Sequence, residues 1–415
     1  MSSSPVSFPV DLGGGLAPTD GNVALHYKKT EVEAVRGFFP LGRNVSWHGG
    51  VHLYADADTP IHSPLDGVVV AARIQSSAGD AVGPFGSHNF IVVKHRLSGA
   101  DLNAVQASGP FGKHDKVEFF SVFMHLAPKK ASSGADFHGF GWLAKDPGWA
   151  LGGSVGAGGA NKKADVELVQ TLLVRAGFDP GPIDGLIGQK TINGIRAFQR
   201  TAFQHMQDGR IDVGGQTWGE LLYRVTPDPA EDGFDDDLIA ALGEGEIVYP
   251  GKRICGGQPL WFVGPESEAG DVHLTHWELI SEKPLIGAFQ PAEDDSPFQG
   301  DARAILQILD GKDWIPGRGY VAPEMVSAFY GDDPRSQVLR ERICKFRSEW
   351  ATDIPAMLDA LQRRFWTEGL DAAVEPYQWY EAAAEQAGLP DAVHWHHNPI
   401  AVVERLRRLP ELTPG

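Results

Sequence analysis

Trp47-His48-Gly49-Gly50-Val51-His52-Leu53 is the stretch from which the fold is read. Two histidines four apart would share one face of a helix, but the Gly-Gly between them disfavours a helix. On an extended or bulged strand an even spacing still puts both imidazoles on one side. Further along stand His125, in Phe123-Met124-His125-Leu126, and the pair His273 and His276, in Val272-His273-Leu274-Thr275-His276-Trp277-Glu278-Leu279. Taken singly, each histidine reads as an ordinary surface or core residue. Five of them at strand ends, all within β-type segments, point to a zinc site.

The segments around them support a β-rich reading. Gly67-Val68-Val69-Val70-Ala71-Ala72 follows the turn signal Pro64-Leu65-Asp66-Gly67, and 90–95 and 117–123 are strands by propensity and length. Strand-like runs return at 246–249, 259–263 and 273–280. Fifty glycines and 29 prolines in 415 residues exceed the usual level, which means many turns. Between the two β stretches the period becomes helical. Val166, Leu168, Val169, Leu172, Leu173 and Val174 mark one helix, a second runs from about Thr191 to Ala202, and a third turn starts near Thr217. Gly152 to Ala160 reads as a flexible linker before them, and the acidic stretch from Asp228 to Asp237 as a solvated connector after them. Beyond residue 300, apolar spacing predicts helices over 338–350, 354–366, 377–387 and 400–409. No internal repeat is visible.

Length suggests about three domains. Lys and Arg number 36 against 54 Asp and Glu, a formal charge of −18 that argues against nucleic-acid binding and against a polybasic membrane-surface role. No apolar run is long enough for membrane insertion. Cys255 and Cys344 cannot build a disulfide framework and fit synthesis in a reducing compartment. The first residues have neither a basic nor an apolar secretory region, so the expected place of synthesis is the cytoplasm, without a signal peptide.

At this point the chain resembles the lysostaphin/LytM-like zinc endopeptidases, which cut peptide bridges in peptidoglycan. His48-Gly49-Gly50-Val51-His52 takes the place of the family's His-x-Gly-x-Asp, and Thr59-Pro60-Ile61-His62-Ser63-Pro64-Leu65-Asp66-Gly67-Val68-Val69 that of its turn and strand. Phe123-Met124-His125-Leu126 matches Tyr-x-His-Leu, and His276-Trp277-Glu278-Leu279 the end of His-Leu-His-Phe-Glu. The resemblance implies an antiparallel β metallopeptidase core and a zinc ligand set of His48, His52 and His276, with His52 in place of the family's aspartate. His52 to Asp56 also spells His-x-x-x-Asp, but the distance to Thr59-Pro60 fits only with His48 as first ligand. The resemblance makes His125 a catalytic acid/base. His273 joins it if a β-bulge near Leu274-Thr275 turns it inward, because it lies three residues from His276 where the family has two. His62, His88, His95 and His114 have no counterpart as ligands and read as surface or loop residues.

Residues 161–224 resemble a small three-helix peptidoglycan-binding domain, on Val169-Gln170-Thr171-Leu172-Leu173, Gly181-Pro182-Ile183-Asp184-Gly185, Ala197-Phe198-Gln199-Arg200, Asp208-Gly209-Arg210-Ile211-Asp212 and Thr217-Trp218. The expected architecture is multidomain α+β. A flexible, loosely held lead-in occupies 1–35, the metallopeptidase domain 36–158 and 227–295, the inserted domain 159–226, and an α-helical extension 296–415. The run Arg342 to Trp350 with His394-Trp395-His396-His397-Asn398-Pro399 resembles an extension of type VI secretion effectors, and the histidines there read as aromatic-rich packing near a helix start, in preference to a second metal site. The implied function is zinc-dependent cleavage of peptidoglycan cross-bridges in the periplasm of a target bacterium, with an immunity protein and a secretion spike component as partners. The competing expectation is a catalytically inactive protein that binds the wall or the spike. Glycan cleavage would need paired carboxylates in a cleft, and Glu278 and Asp66 belong to the protease motifs instead.

Overall fold

His273–Ser281 runs through the centre of the molecule and is buried along its whole length except at His273. A strand covered on both faces must pair on both edges and carry apolar residues on both sides, and the rest of the fold is arranged to supply this. The structure, a computed structural model, describes residues 6–33, 37–42, 47–76, 81–98, 116–129, 140–203, 206–266, 271–285, 290–293, 323–332, 335–352 and 373–408.

In chain order the elements used below are α1 (Asp20–Tyr27), β1 (Gly50–Tyr54), β2 (Pro60–His62), β3 (Gly67–Arg73), β4 (Phe90–Ser98) and β5 (Lys116–Met124). They continue with α2 (Lys163–Arg175), α3 (Gln189–Ala202), α4 (Gln216–Tyr223), β6 (Lys252–Ile254), β7 (Pro259–Phe262), β8 (Gly264–Pro265) and β9 (His273–Ser281). The last are β10 (Gln290–Glu293), α5 (Pro323–Asp332), α6 (Arg335–Arg340), β11 (Arg342–Arg347), α7 (Tyr380–Ala387), β12 (Val393–His397) and α8 (Pro399–Arg407). Among the described residues the main sheet has ten strands, in the order β6-β3-β4-β5-β9-β12-β11-β10, with β1 and β8 also paired to β9. All its pairings are antiparallel except β10 with β11. Alternation along the strands divides two cores. Phe119, Phe123, Trp277 and Leu279 pack on one face with Val23, Tyr27 and Ile400, and Phe120, Val122, Met124 and Ile280 pack on the other with Trp350, Trp379 and Tyr380.

The strands expected at 67–72, 90–95, 117–123, 259–263 and 273–280 form, whereas 246–249 contributes only an isolated bridge from Val248 to Ala72. The all-helical expectation beyond residue 296 is corrected. Residues 342–347 and 393–397 are strands of the main sheet, and helices occupy 335–340, 380–387 and 399–407. Val338, Leu339, Ile343, Phe346 and Trp350 have helical spacing, but β11 lies between β10 and β12 and its Ile343, Cys344 and Phe346 are all fully buried. A strand buried on both faces loses the period-2 signal. The helix expected over 354–366 and His114 lie outside the described residues.

Three further expectations change. The described part of the lead-in, 6–33, is not loose: Phe8 and Val10 are fully buried, Phe8 stacks on His26 at 3.6 Å, and Thr19 caps α1 by accepting from the Asn22 amide. The glycines at 152–160 build a fixed turn rather than a flexible linker. Val155-Gly156 pairs with Arg210-Ile211, and a Cβ at Gly156 would lie 2.1 Å from the Gly209 carbonyl oxygen. His95 is buried within β4 and His62 half-buried in β2, so neither is a surface or loop residue, whereas His88 lies in a loop as expected, though buried.

The inserted domain has its own core of Val166, Val169, Leu172, Ile195, Phe198 and Leu221. Its two halves hold a local repeat that the sequence reading overlooked. Gln170 accepts from the Asp184 and Gly185 amides and donates to Thr191, and Gln199 accepts from the Gly209 amide and donates to Asp208 and Thr217. Each buried glutamine ties an Asp-Gly turn to the start of the next helix, so its amide is fully used. The chain enters and leaves the insertion side by side, with Lys145 donating to Gly233 O and Asp235 to Leu143 O.

His95 is satisfied as a neutral imidazole, with Nδ1 3.0 Å from Asp66 O and Nε2 2.9 Å from Ser121 Oγ. Burial pushes its pKa down to about 4, against the hydrogen bond it donates to Asp66 O; burial likewise lowers His394 to about 4 and His397 to about 3. The unfolded chain therefore binds more protons below about pH 6.5. The contribution of these groups is whole above that pH and is lost as pH falls toward 4 and 3. Chemical denaturation should show stability falling by roughly 1.4 kcal/mol per pH unit per histidine in this window, and His95→Gln should reduce the slope. A flat profile from pH 6.5 to 4 would contradict this account.

Candidate metal centre

β1 pairs antiparallel with β9 in unbroken register, Tyr54 opposite Leu274 through Gly50 opposite Glu278, which sets His52 directly opposite His276. Directly opposed side chains lie about 5 Å apart on one face. The Gly-Gly of the opening motif makes this approach possible. A Cβ on Gly50 would sit 2.2 Å from Trp277 O, and one on Gly49 would sit 2.5 Å from His396 Nδ1 and 2.9 Å from the Glu278 carboxyl carbon. With no side chain there, His48 folds over the same face. Its ring centre is 4.8 Å from that of His52 and 4.6 Å from that of His276.

One ring nitrogen from each of His48, His52 and His276 falls within a 4.8 Å cluster, so these three residues could hold one metal ion. The hydrogen bonds say which nitrogens face it. His276 Nε2–H donates to Glu278 Oε1 at 2.8 Å, leaving the lone pair on Nδ1. That Nδ1 is 3.4 Å from His52 Nε2. Two nitrogens bound at about 2.1 Å to one tetrahedral ion are separated by about 3.4 Å. His48 Nδ1 lies 3.3 Å from Glu349 Oε1, and its Nε2 is buried without a hydrogen-bond partner. A buried nitrogen with an unused lone pair beside two others is what a cation would satisfy.

Behind the histidines lies a carboxylate pair. Glu278 Oε1 also accepts from Trp350 Nε1 at 2.8 Å, and Glu349 Oε1 accepts from the Gly49 amide at 3.0 Å. Burial, reinforced by the charge of Glu349, pushes Glu278 well above the usual carboxylate range. Burial also raises Glu349, but the neighbouring His48, with its Nδ1–H, and the Gly49 amide outweigh it and hold this carboxyl down at about 2. His276 is pushed well below the usual imidazole value, mainly by burial, so it is neutral, as a ligand must be.

His125 follows β5 immediately, with φ of 62° in the left-handed region that side chains rarely adopt. Its Nδ1–H donates to Ser87 O at 2.7 Å, which fixes the tautomer with the lone pair on Nε2. The ring stands 6.3 Å from His52 and 6.4 Å from His276, beside the cluster and outside it. His273 is not brought in. The register of β9 passes Leu274 and Thr275 without a bulge, so His273 points to the face opposite His276.

The sequence reading missed Glu349, Trp350 and Tyr377. Trp350 lies 5.3 Å from the His276 ring and 6.0 Å from His125. Tyr377 donates to Gly86 O at 2.6 Å and accepts from the Phe85 amide at 3.3 Å, bracing the turn that holds His125. Nothing in the spacing of Arg342 to Trp350 marks Glu349 as facing His48. The histidines of β12 pack instead of clustering as ligands: His396 stacks on Phe346 at 3.8 Å and His397 Nε2 is 2.8 Å from Ser281 Oγ.

Among known proteins, residues 162–221 match the family described as a putative peptidoglycan binding domain. No curated protein and no solved structure matches the chain. The matched segment covers α2 to α4, and it associates the chain with the cell wall. Beside its second Asp-Gly turn an open groove of about 660 Å³ is lined by Phe203, Met206, Gln207, Asp208 and Gln216.

Purified protein should take up one metal ion per chain, counted by plasma mass spectrometry after dialysis against zinc. His48→Ala, His52→Ala and His276→Ala should each lower the occupancy below one half, while His273→Ala should leave it whole. Gly50→Ala should lose the ion and also lower the melting temperature, because the backbone oxygen of Trp277 cannot retreat from the new methyl group.

Proposed function

We propose that the chain is a zinc-dependent endopeptidase that hydrolyses peptide cross-bridges of bacterial peptidoglycan. The observation that carries this reading is the three-histidine cluster with His125 about 6 Å away, in a chain that also holds a wall-binding module. Three neutral nitrogen ligands suit zinc, and catalytic zinc sites leave a fourth position open. When bound, zinc polarises a peptide carbonyl and makes its water more acidic.

The chain's own residues have separate tasks. His48, His52 and His276 would hold the ion, and Glu278 keeps His276 in the tautomer that presents Nδ1. His125, with its lone pair on Nε2, accepts the proton of the attacking water and delivers it to the leaving amine. The Ser87 carbonyl and the turn braced by Tyr377 hold that imidazole in place. The inserted domain keeps the chain on the wall. By its sequence resemblance, the place of action is the wall of a target bacterium after delivery by a type VI secretion system, with an immunity protein and a spike component as partners.

A second reading, a catalytically silent wall-binding protein, is favoured by one observation. His48, His125 and His276 are 5 %, 7 % and 0 % exposed, and Trp350 packs against the two last. Digestion of purified sacculi separates the two readings. Zinc-loaded protein should release peptides detectable by mass spectrometry, His125→Ala should lower the rate about 100-fold or more, and His273→Ala should stay within about twofold. Loaded protein that sediments with sacculi yet releases nothing would establish the second reading.

A further inference from the structure

We propose that Glu349, supplied by the C-terminal segment, is a positioning residue of the metal centre that fixes His48 and supplies the negative charge its three neutral ligands lack. The inference rests on the metal-centre reading and extends it to a part of the chain outside the β1 and β9 motifs.

The geometry is specific. Ser348-Glu349-Trp350 follows β11 directly and is pinned there, with the Ser348 amide donating to Ala392 O at 2.8 Å and the Tyr380 amide to Trp350 O at 3.1 Å. From this anchor Glu349 Oε1 meets the Gly49 amide at 3.0 Å and His48 Nδ1 at 3.3 Å, and approaches His276 Nε2 at 3.7 Å. His48 lies before the first residue of β1, where its amide donates to Pro40 O at 2.9 Å, and its ring meets Glu349 at Nδ1. Accepting from Nδ1–H selects the tautomer that turns the Nε2 lone pair into the cluster. Glu278 does the same for His276 from within β9 itself.

Charge supplies the second argument. Three imidazoles leave a divalent cation's full double charge in a buried place, where an unpaired charge is costly. Glu349 Oε1 lies 3.3 Å from His48 and 3.7 Å from His276, so it sets a carboxylate against two of the three ligands. Glu349 and Trp350 therefore work together. Trp350 Nε1 binds the Glu278 carboxyl while Glu349 binds the His48 side, and one short turn completes the support of two ligands.

The test compares zinc affinity by competition with a chromophoric chelator in full-length wild type, Glu349→Gln, Glu349→Asp and Glu381→Gln. Glu381 belongs to the same segment and binds Arg347 at 2.9 Å, away from the histidines. Glu349→Gln should bind zinc about 10- to 100-fold more weakly and alter the visible spectrum of the cobalt-substituted protein. Glu349→Asp should recover part of the affinity, and Glu381→Gln should match wild type. Melting of the metal-free proteins should be alike for wild type and Glu349→Gln. If Glu349→Gln binds zinc within about threefold of wild type, the proposal is overturned and the metal centre stands. If it lowers the melting temperature of the metal-free protein as much as that of the loaded one, Glu349 is only a structural contact and the proposal is again overturned. If wild type itself takes up no zinc, the metal-centre reading fails first.

Discussion

The close approach of two backbones, β1 on β9, is the constraint from which the site follows. Opposed residues in an antiparallel pair are fixed neighbours, so the register that sets Gly50 against Glu278 also sets His52 against His276. A slip of one residue would turn His52 away from the cluster face. Gly49 and Gly50 leave room for Trp277 O, Glu278 and His396, so the two glycines in the histidine motif are as necessary to the geometry as the histidines.

The same approach has a cost in desolvated polar groups. Glu278, His276, His396 and His397 are fully buried around one short length of sheet, and His48 Nε2, Glu278 Oε2 and both ring nitrogens of His396 have no hydrogen-bond partner. Buried polar atoms are normally paired, and each exception weakens the fold by about 1–3 kcal/mol. Their concentration beside one another, with the packed aromatic cores lying to either side, is the pattern of a fold that gives up stability locally for a site. His95 shows the contrast. It is equally buried but has a partner on each nitrogen, and it belongs to no site.

Legibility in the sequence followed the range of the interaction. The strands from 67 to 124, the helices of the insertion and the facing of His48, His52 and His276 were readable, because each depends on local period or on motif spacing. His273 depended on a bulge near Leu274-Thr275, and the register of β9 runs through these residues without one. The C-terminal strands were unreadable for a different reason. Burial on both faces removed the alternation from Ile343, Cys344 and Phe346 and left a spacing that imitates a helix. Glycine was read as freedom at 152–160, where Gly156 in fact serves close packing against Gly209. Glu349 meets a backbone amide 300 positions away, a relation that no local pattern carries.

The insertion divides the histidine-bearing domain in sequence without dividing its sheet. Its ends are joined by the bridge of Ala144 with Phe234, so the sheet needs to bring together only two neighbouring strands there, and the length between them adds little closure entropy. The inserted domain does not swing freely from that junction. Arg96 of β4 pairs with Glu220 of α4 and lies over the ring of Tyr223 at 4.3 Å, and Tyr223 donates to Asp66 O at 3.4 Å. Arg96 lies toward the far end of β4 from Phe90, and Phe90 is opposite Met124, the residue that precedes His125. Six residues of strand span about 20 Å. The binding module and the histidines are thus held at a fixed separation along one strand. A ligand held by the module cannot also contact the histidines unless it is an extended polymer, and what the module gives such a polymer is local concentration rather than contacts within the site.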